Sequence, residues 1–106
     1  MNLGDLFKQA RDFQEKTQQL QAQLAAIEVD GSSGGGLVRV TLNGKGELRR
    51  IALDPSLLKP EERETVQDLV VAAHGDAKVR LERRVADEMQ KLAGALGLPP
   101  GLGLPG

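Results

Sequence analysis

The chain has 106 residues, with 14 Lys and Arg against 15 Asp and Glu, so its net charge of −1 lacks the strong basicity of a purely electrostatic nucleic-acid binder. It has no Cys, Trp or Tyr and only two Phe, which excludes a disulfide framework and a thiol nucleophile and leaves the core to Leu, Val, Ile and Ala. A single short domain so poor in aromatics has a thin stability margin, and a partner subunit is an ordinary way to gain burial.

No apolar run approaches the ~20 residues of a bilayer span. Met1 to Ala10 carries Asp5 and Lys8 among its apolar residues and does not read as a signal peptide. A soluble, cytoplasmic protein without a membrane partner is expected.

The first element, Asn2 to Ile27, reads as a helix. Leu6, Ala10, Phe13, Thr17, Leu20, Leu24 and Ile27 alternate in steps of four and three, the spacing of a coiled-coil seam. Gln, Lys, Arg, Asp and Glu fill the positions between them. Gly31 to Gly36, a Gly-Ser run, reads as a flexible connection. In Leu37 to Leu42 the period changes to two, with Val38, Val40 and Leu42 on one face. Asn43-Gly44 is a strong hairpin signal, and Glu47 to Asp54 is the returning strand. Its alternation puts Arg49, Ile51 and Leu53 opposite Leu48, Arg50 and Ala52. Ile27 to Asp30 supplies a third short strand.

Pro60, followed by Glu61, Glu62 and Glu64, marks a second helix start, since Pro suits the first turn and acids favour that end of the dipole. The stripe Val66, Leu69, Val70, Ala73, Ala77, Leu81, Val85, Met89 and Leu92 follows. Gly75 inside it marks either a close helix contact or a bend. Residues 1–97 thus read as one domain and 98–106 as a Pro/Gly-rich tail. The fold class is α+β: long helix, three-stranded antiparallel meander, long helix. Both helices outrun what three short strands can cover, and the open sheet edges invite a partner. Dimerisation is the economical answer.

Little catalytic chemistry is available. His74 is the sole histidine, and with no Cys it reads as a helix-surface or interface residue rather than a metal ligand. Ser32, Ser33 and Ser56 occupy no nucleophile elbow. Ser33 to Gly36 and Gly44-Lys45-Gly46 lack the spacing of a phosphate loop and lie between strands. No enzyme, cofactor, metal or small-molecule substrate is expected. What remains is the cation cluster Lys78, Arg80, Arg83, Arg84 and Lys91, of which Arg80, Arg84 and Lys91 form a stripe. Lys8 and Arg11 add cations to the first helix. By pattern alone this is an ordinary charged face, with Glu82 and nearby Arg as surface pairs; a twofold axis would set duplicated stripes beside one groove. Arg39, Arg49 and Arg50 on the strands are expected to be partly neutralised by Glu47 and Asp54.

The run from Gln14 through Val29, the strand Gly36 to Gly44, the exit Ile51-Ala52-Leu53-Asp54-Pro55-Ser56-Leu57-Leu58, the stretch Asp68 to Ala73 and the closing Leu98-Pro99-Pro100-Gly101 together resemble the YbaB/EbfC family of bacterial nucleoid-associated proteins. The resemblance covers nearly the whole chain. It implies a tweezer-like homodimer whose long helices project from a central sheet, located in the nucleoid and binding DNA without catalysis, with roles in chromosome organisation or gene regulation. On that reading Lys8, Arg11, Arg80, Arg83, Arg84 and Lys91 contact the phosphates of double-stranded DNA. No aromatic is expected on the surface of either arm, so base readout is limited and single-strand binding disfavoured. The alternative is a protein–protein adaptor that docks through the helical seam and the tail.

Overall fold

The computed structural model describes residues 2–95 and 97, so the expected tail, 98–106, lies outside the described residues. Helix α1 spans Leu3–Ala26 and is started by Asn2, whose side-chain oxygen accepts the Asp5 amide at 2.8 Å. It ends where the hairpin meets it: the Gly44 amide donates to the carbonyls of Leu24 (2.8 Å) and Ile27 (3.0 Å). A side chain at Gly44 would strike the carbonyl of Leu24, so this docking needs glycine.

Strands β1 (Glu28–Ser33), β2 (Val38–Asn43) and β3 (Leu48–Leu53) form an antiparallel sheet in the order β1-β2-β3. The expected flexible connection is therefore half strand: Gly31, Ser32 and Ser33 pair with Val40, Arg39 and Val38. The cause is packing. Gly31 is buried under α2, and a Cβ there would fall 2.6 Å from the Ala77 Cα and run into the backbone of Ala73. Glycine is present because the helix backbone lies directly on the strand, not because the chain needs freedom. Only Gly34–Gly36 form the connecting turn, as a short 3₁₀ segment.

The β2–β3 turn is organised by buried Asn43, whose Oδ1 accepts the amides of Lys45 and Glu47, each at 3.0 Å, while its Nδ2 donates to Glu47 Oε1. A register shift between Thr41 and Leu42 leaves Arg49 without a partner on β2. The bulge places Leu48 opposite Leu42, and Leu48 and Ile51 line one depression. The simple alternation expected of β3 had them on opposite faces.

Asp54 caps the following 3₁₀ turn, Pro55–Leu57, by accepting the Ser56 amide at 2.9 Å, and the Ser56 side chain first, with that amide second, holds its carboxyl below the ordinary value. A second such turn, Pro60–Glu62, leads into α2, Arg63–Ala95. Helix α2 runs unbroken through Gly75, and a Cβ added there meets nothing within 4 Å. Gly75 thus marks neither a close contact nor a break in the helix.

The core is Val38, Val40 and Leu42 of β2 against Ala73, Ala77 and Leu81 of α2, closed at one end by Leu57. It lies over β1 and β2, and β3 is left largely uncovered. Helix α1 contributes no buried residue. The molecule extends over 69 × 28 × 17 Å, and its radius of gyration is 19.6 Å. A compact domain of about this length has roughly 13 Å. No helix of the described residues is long and apolar enough to cross a membrane.

Candidate nucleic-acid interface

The C-terminal ends of both helices form an arm beyond the hairpin. Ile27 sits at the Gly44 turn, and Leu81 reaches Gly46 at the same end of the sheet. From there α2 proceeds outward while α1 is traced backwards, so the two run antiparallel. Leu20, Leu24 and Ile27 face Val85, Met89 and Leu92 across a cleft of about 240 Å³. Among the described residues, only these three of the seven seam positions of α1 are covered. Leu3, Leu6, Phe7 and Phe13 are exposed, the two rings at 67% and 71%. The expectation that no aromatic lies on an arm surface is therefore corrected. Among the described residues, none covers this part of the α1 seam.

The six candidate cations do not form one patch. Lys8 and Arg11 are exposed on α1, and Arg11 lies 13 residues before Leu24, about 20 Å along the helix axis. Among the described residues, neither is in an ion pair, and neither is Arg83. The other three candidates are engaged. Arg80 Nε donates to Asp76 Oδ2 at 3.1 Å, and Arg84 Nε donates to Glu88 Oε1 at 3.1 Å. Lys91 lies 3.8 Å from the same Glu88 oxygen, and both residues line the cleft between the helices. These are exposed one-turn pairs, each worth only a few tenths of a kcal/mol, about 0.3–0.5. A phosphate can displace such partners at little cost.

Asp76 does more than neutralise Arg80. The same carboxylate oxygen accepts the amide of Ser32, on the edge strand β1, at 3.0 Å. Beside it the Ser33 hydroxyl donates to the Leu69 carbonyl. Together they fasten β1 to α2 where Gly31 brings the backbones close. The Ser32 amide first, with Arg80 assisting, holds the Asp76 carboxyl below its ordinary range. Arg80 therefore has a structural task that its sequence position did not reveal. The Asp76-x-x-x-Arg80 spacing was the available signal. Glu82, expected to supply surface pairs, is in none among the described residues.

The strand cations also differ from expectation. Arg50 is held by a two-pronged contact to Glu28 across the sheet, at 3.1 and 3.3 Å. Glu47 and Asp54 are occupied by Asn43 and Ser56 instead. Among the described residues no group of three or more His, Asp or Glu is placed to hold a metal ion.

Over residues 1–96 the sequence matches the YbaB/EbfC DNA-binding family. The chain belongs to that family. Its YbaB/EbfC relatives include a nucleoid-associated protein of Granulibacter bethesdensis, 53% identical over 98% of this chain and 97% of its own length. A nucleoid-associated protein of Rhodopseudomonas palustris is 54% identical over 93% of both chains. The fold is similar to the crystal structure of an uncharacterized Helicobacter pylori protein, with a TM-score of 0.66 and 27% identity, covering 87% of this chain and 97% of that one. The helix–meander–helix order is thus seen both in this YbaB/EbfC chain and in a solved structure.

Proposed function

We propose that the protein is a non-catalytic, nucleoid-associated protein that binds double-stranded DNA as a homodimer, chiefly through phosphates, and serves chromosome organisation or gene regulation. The observation that carries this reading is the family match across residues 1–96, together with half-identical relatives of nearly equal length that are named nucleoid-associated proteins. Lys8, Arg11 and Arg83 are the cations most available to phosphate, being exposed and outside any ion pair among the described residues. Arg84 and Lys91 join them by releasing Glu88, and Arg80 by sharing Asp76.

The second subunit has a surface to cover. Leu48, Ile51, Val70, Val71, Val40 and His74 line a shallow apolar depression of about 240 Å³ where α2 leaves β3 bare. Val71 is 73% exposed there. β3 is also an edge strand, and two copies related by a twofold axis would cover both depressions at once. The protein adaptor reading draws on the uncovered end of the α1 seam instead.

The test is fluorescence anisotropy of a labelled duplex titrated with protein at a series of salt concentrations, with sedimentation to establish the assembly state. Each phosphate contact adds about 0.9 to the slope of log affinity against log salt. Alanine at Lys8 and Arg11 removes four contacts from a dimer and lowers that slope by about 3.6. Absence of binding at low salt by a folded dimer refutes the reading and moves the weight to the adaptor.

A further inference from the structure

Helix α1 carries a second stripe, distinct from its apolar seam. Phe7, Arg11, Gln14, Gln18 and Gln21 follow one another in steps of four, three, four and three, so they share one face. All five are exposed. On a wheel of 100° per residue the stripe lies roughly 130° from Leu20, Leu24 and Ile27, the side turned to α2. Helix α2 therefore stands behind the stripe and does not obstruct it. Its one charged group is the Arg11 guanidinium. Asp5 and Asp12 lie on the far side of the helix, and Glu15 borders the stripe.

We infer that this stripe enters the major groove of DNA and that Gln14, Gln18 and Gln21 read adenine there. The inference rests on the DNA-binding reading above and deepens it from phosphate contact to base readout. The chemistry fits at each level. A glutamine amide both donates and accepts, matching the N7 acceptor and N6 donor that adenine displays in the major groove, and an apolar ring such as Phe7 suits the methyl of thymine. The groove is wide enough for one helix, and the face that must enter it bears a cation and no carboxylate. From Arg11 to Gln21 the stripe runs about 15 Å, the length of four to five stacked base pairs. A neutral amide releases no counterion, so the contribution of the three glutamines is separable, by its indifference to salt, from that of Lys8, Arg11, Arg83 and the other cations.

The test compares two duplexes of one adenine-rich sequence, the second carrying 7-deazaadenine at every adenine. That change deletes the N7 acceptor and leaves base pairing and phosphate charge intact. The protein is expected to bind the unmodified duplex about tenfold more tightly. Q14A/Q18A/Q21A, whose alanines favour the helix, is expected to bind both duplexes equally, at the affinity of the parent for the modified one and with an unchanged salt slope. Equal binding of the two duplexes by the parent protein overturns the inference alone. Binding to neither duplex overturns the DNA-binding reading along with it.

Discussion

Two glycine-to-alanine substitutions are predicted to move stability in opposite directions, and the difference between them tests the packing argument. At Gly31 the added Cβ falls 2.6 Å from the Ala77 Cα, where ordinary contact begins near 3.4 Å. The obstacle is backbone, and it cannot swing aside as a flexible side chain does. Helix α2 must lift from β1, loosening Ala73, Ala77 and the β2 valines beneath it. Overpacking of a core costs about 1–3 kcal/mol, and the rigid obstacle puts G31A at the upper end of that range. Reduced freedom of the unfolded chain returns about 0.4–1 kcal/mol. The net loss is about 2 kcal/mol, a fall in Tm of roughly 8–16 °C for a domain of this size. At Gly75 the added Cβ meets nothing within 4 Å, inside a continuous helix. G75A should therefore stabilise the protein by about 0.5–1 kcal/mol. Denaturant and thermal unfolding followed by circular dichroism, at one fixed protein concentration to hold association constant, measures both. A G31A protein within about 0.5 kcal/mol of the parent would refute the close approach of α2 to β1.

Three further outcomes are expected. Asp76 is held below its ordinary value by the Ser32 amide and Arg80, so it contributes stability above the ordinary carboxyl pKa of 3.8 that is lost as pH falls through its lower folded value. Asp54 acts in the same direction. D76N should be less stable than the parent at neutral pH and show a flatter loss of stability on acidification, as read from urea midpoints between pH 2 and 6. I51E and V71E, both at exposed positions, should leave the folded subunit within about 0.5 kcal/mol of the parent yet shift sedimentation from dimer to monomer; a dimer that persists in both would move the interface elsewhere. R83A should lower the DNA salt slope by about 1.8 per dimer with no change in Tm, whereas R80A should also lower Tm, because it disturbs the carboxylate that ties β1 to α2.

Much of the fold was legible because periodicity reports which face is buried. The alternation in Val38 to Leu42 and the stripe through Ala73, Ala77 and Leu81 are the observed core. What escaped was set by contacts between distant segments. Gly31 looked like a linker residue because Gly and Ser are common in linkers, yet its period-two relation to Val29 and Ser33 matched the small pair Ala73 and Ala77 on the helix it meets. The bulge at Arg49 left no mark in the alternation, and it reverses the face that Leu48 occupies. The exposure of Phe7 and Phe13 was equally unreadable, since an apolar seam does not disclose that its partner helix stops short.

The same distinction sorts the candidate cations. Sequence shows where positive charge is placed but not which carboxylates have already claimed it. Asp76 and Glu88 between them engage Arg80, Arg84 and Lys91, whereas Lys8, Arg11 and Arg83 are outside any ion pair among the described residues. A cation that must give up a partner returns part of its phosphate energy, about 0.3–0.5 kcal/mol for an exposed one-turn pair. That loss is too small to exclude the α2 stripe from binding, but it ranks the two helices. Per cation, α1 should contribute more to affinity than α2, and Arg80 least of all, because its carboxylate also holds an edge strand in place. The protein's slight net negative charge then matters less than where its cations stand. Duplex DNA would meet an arm whose outer end carries Lys8 and Arg11 outside any ion pair among the described residues.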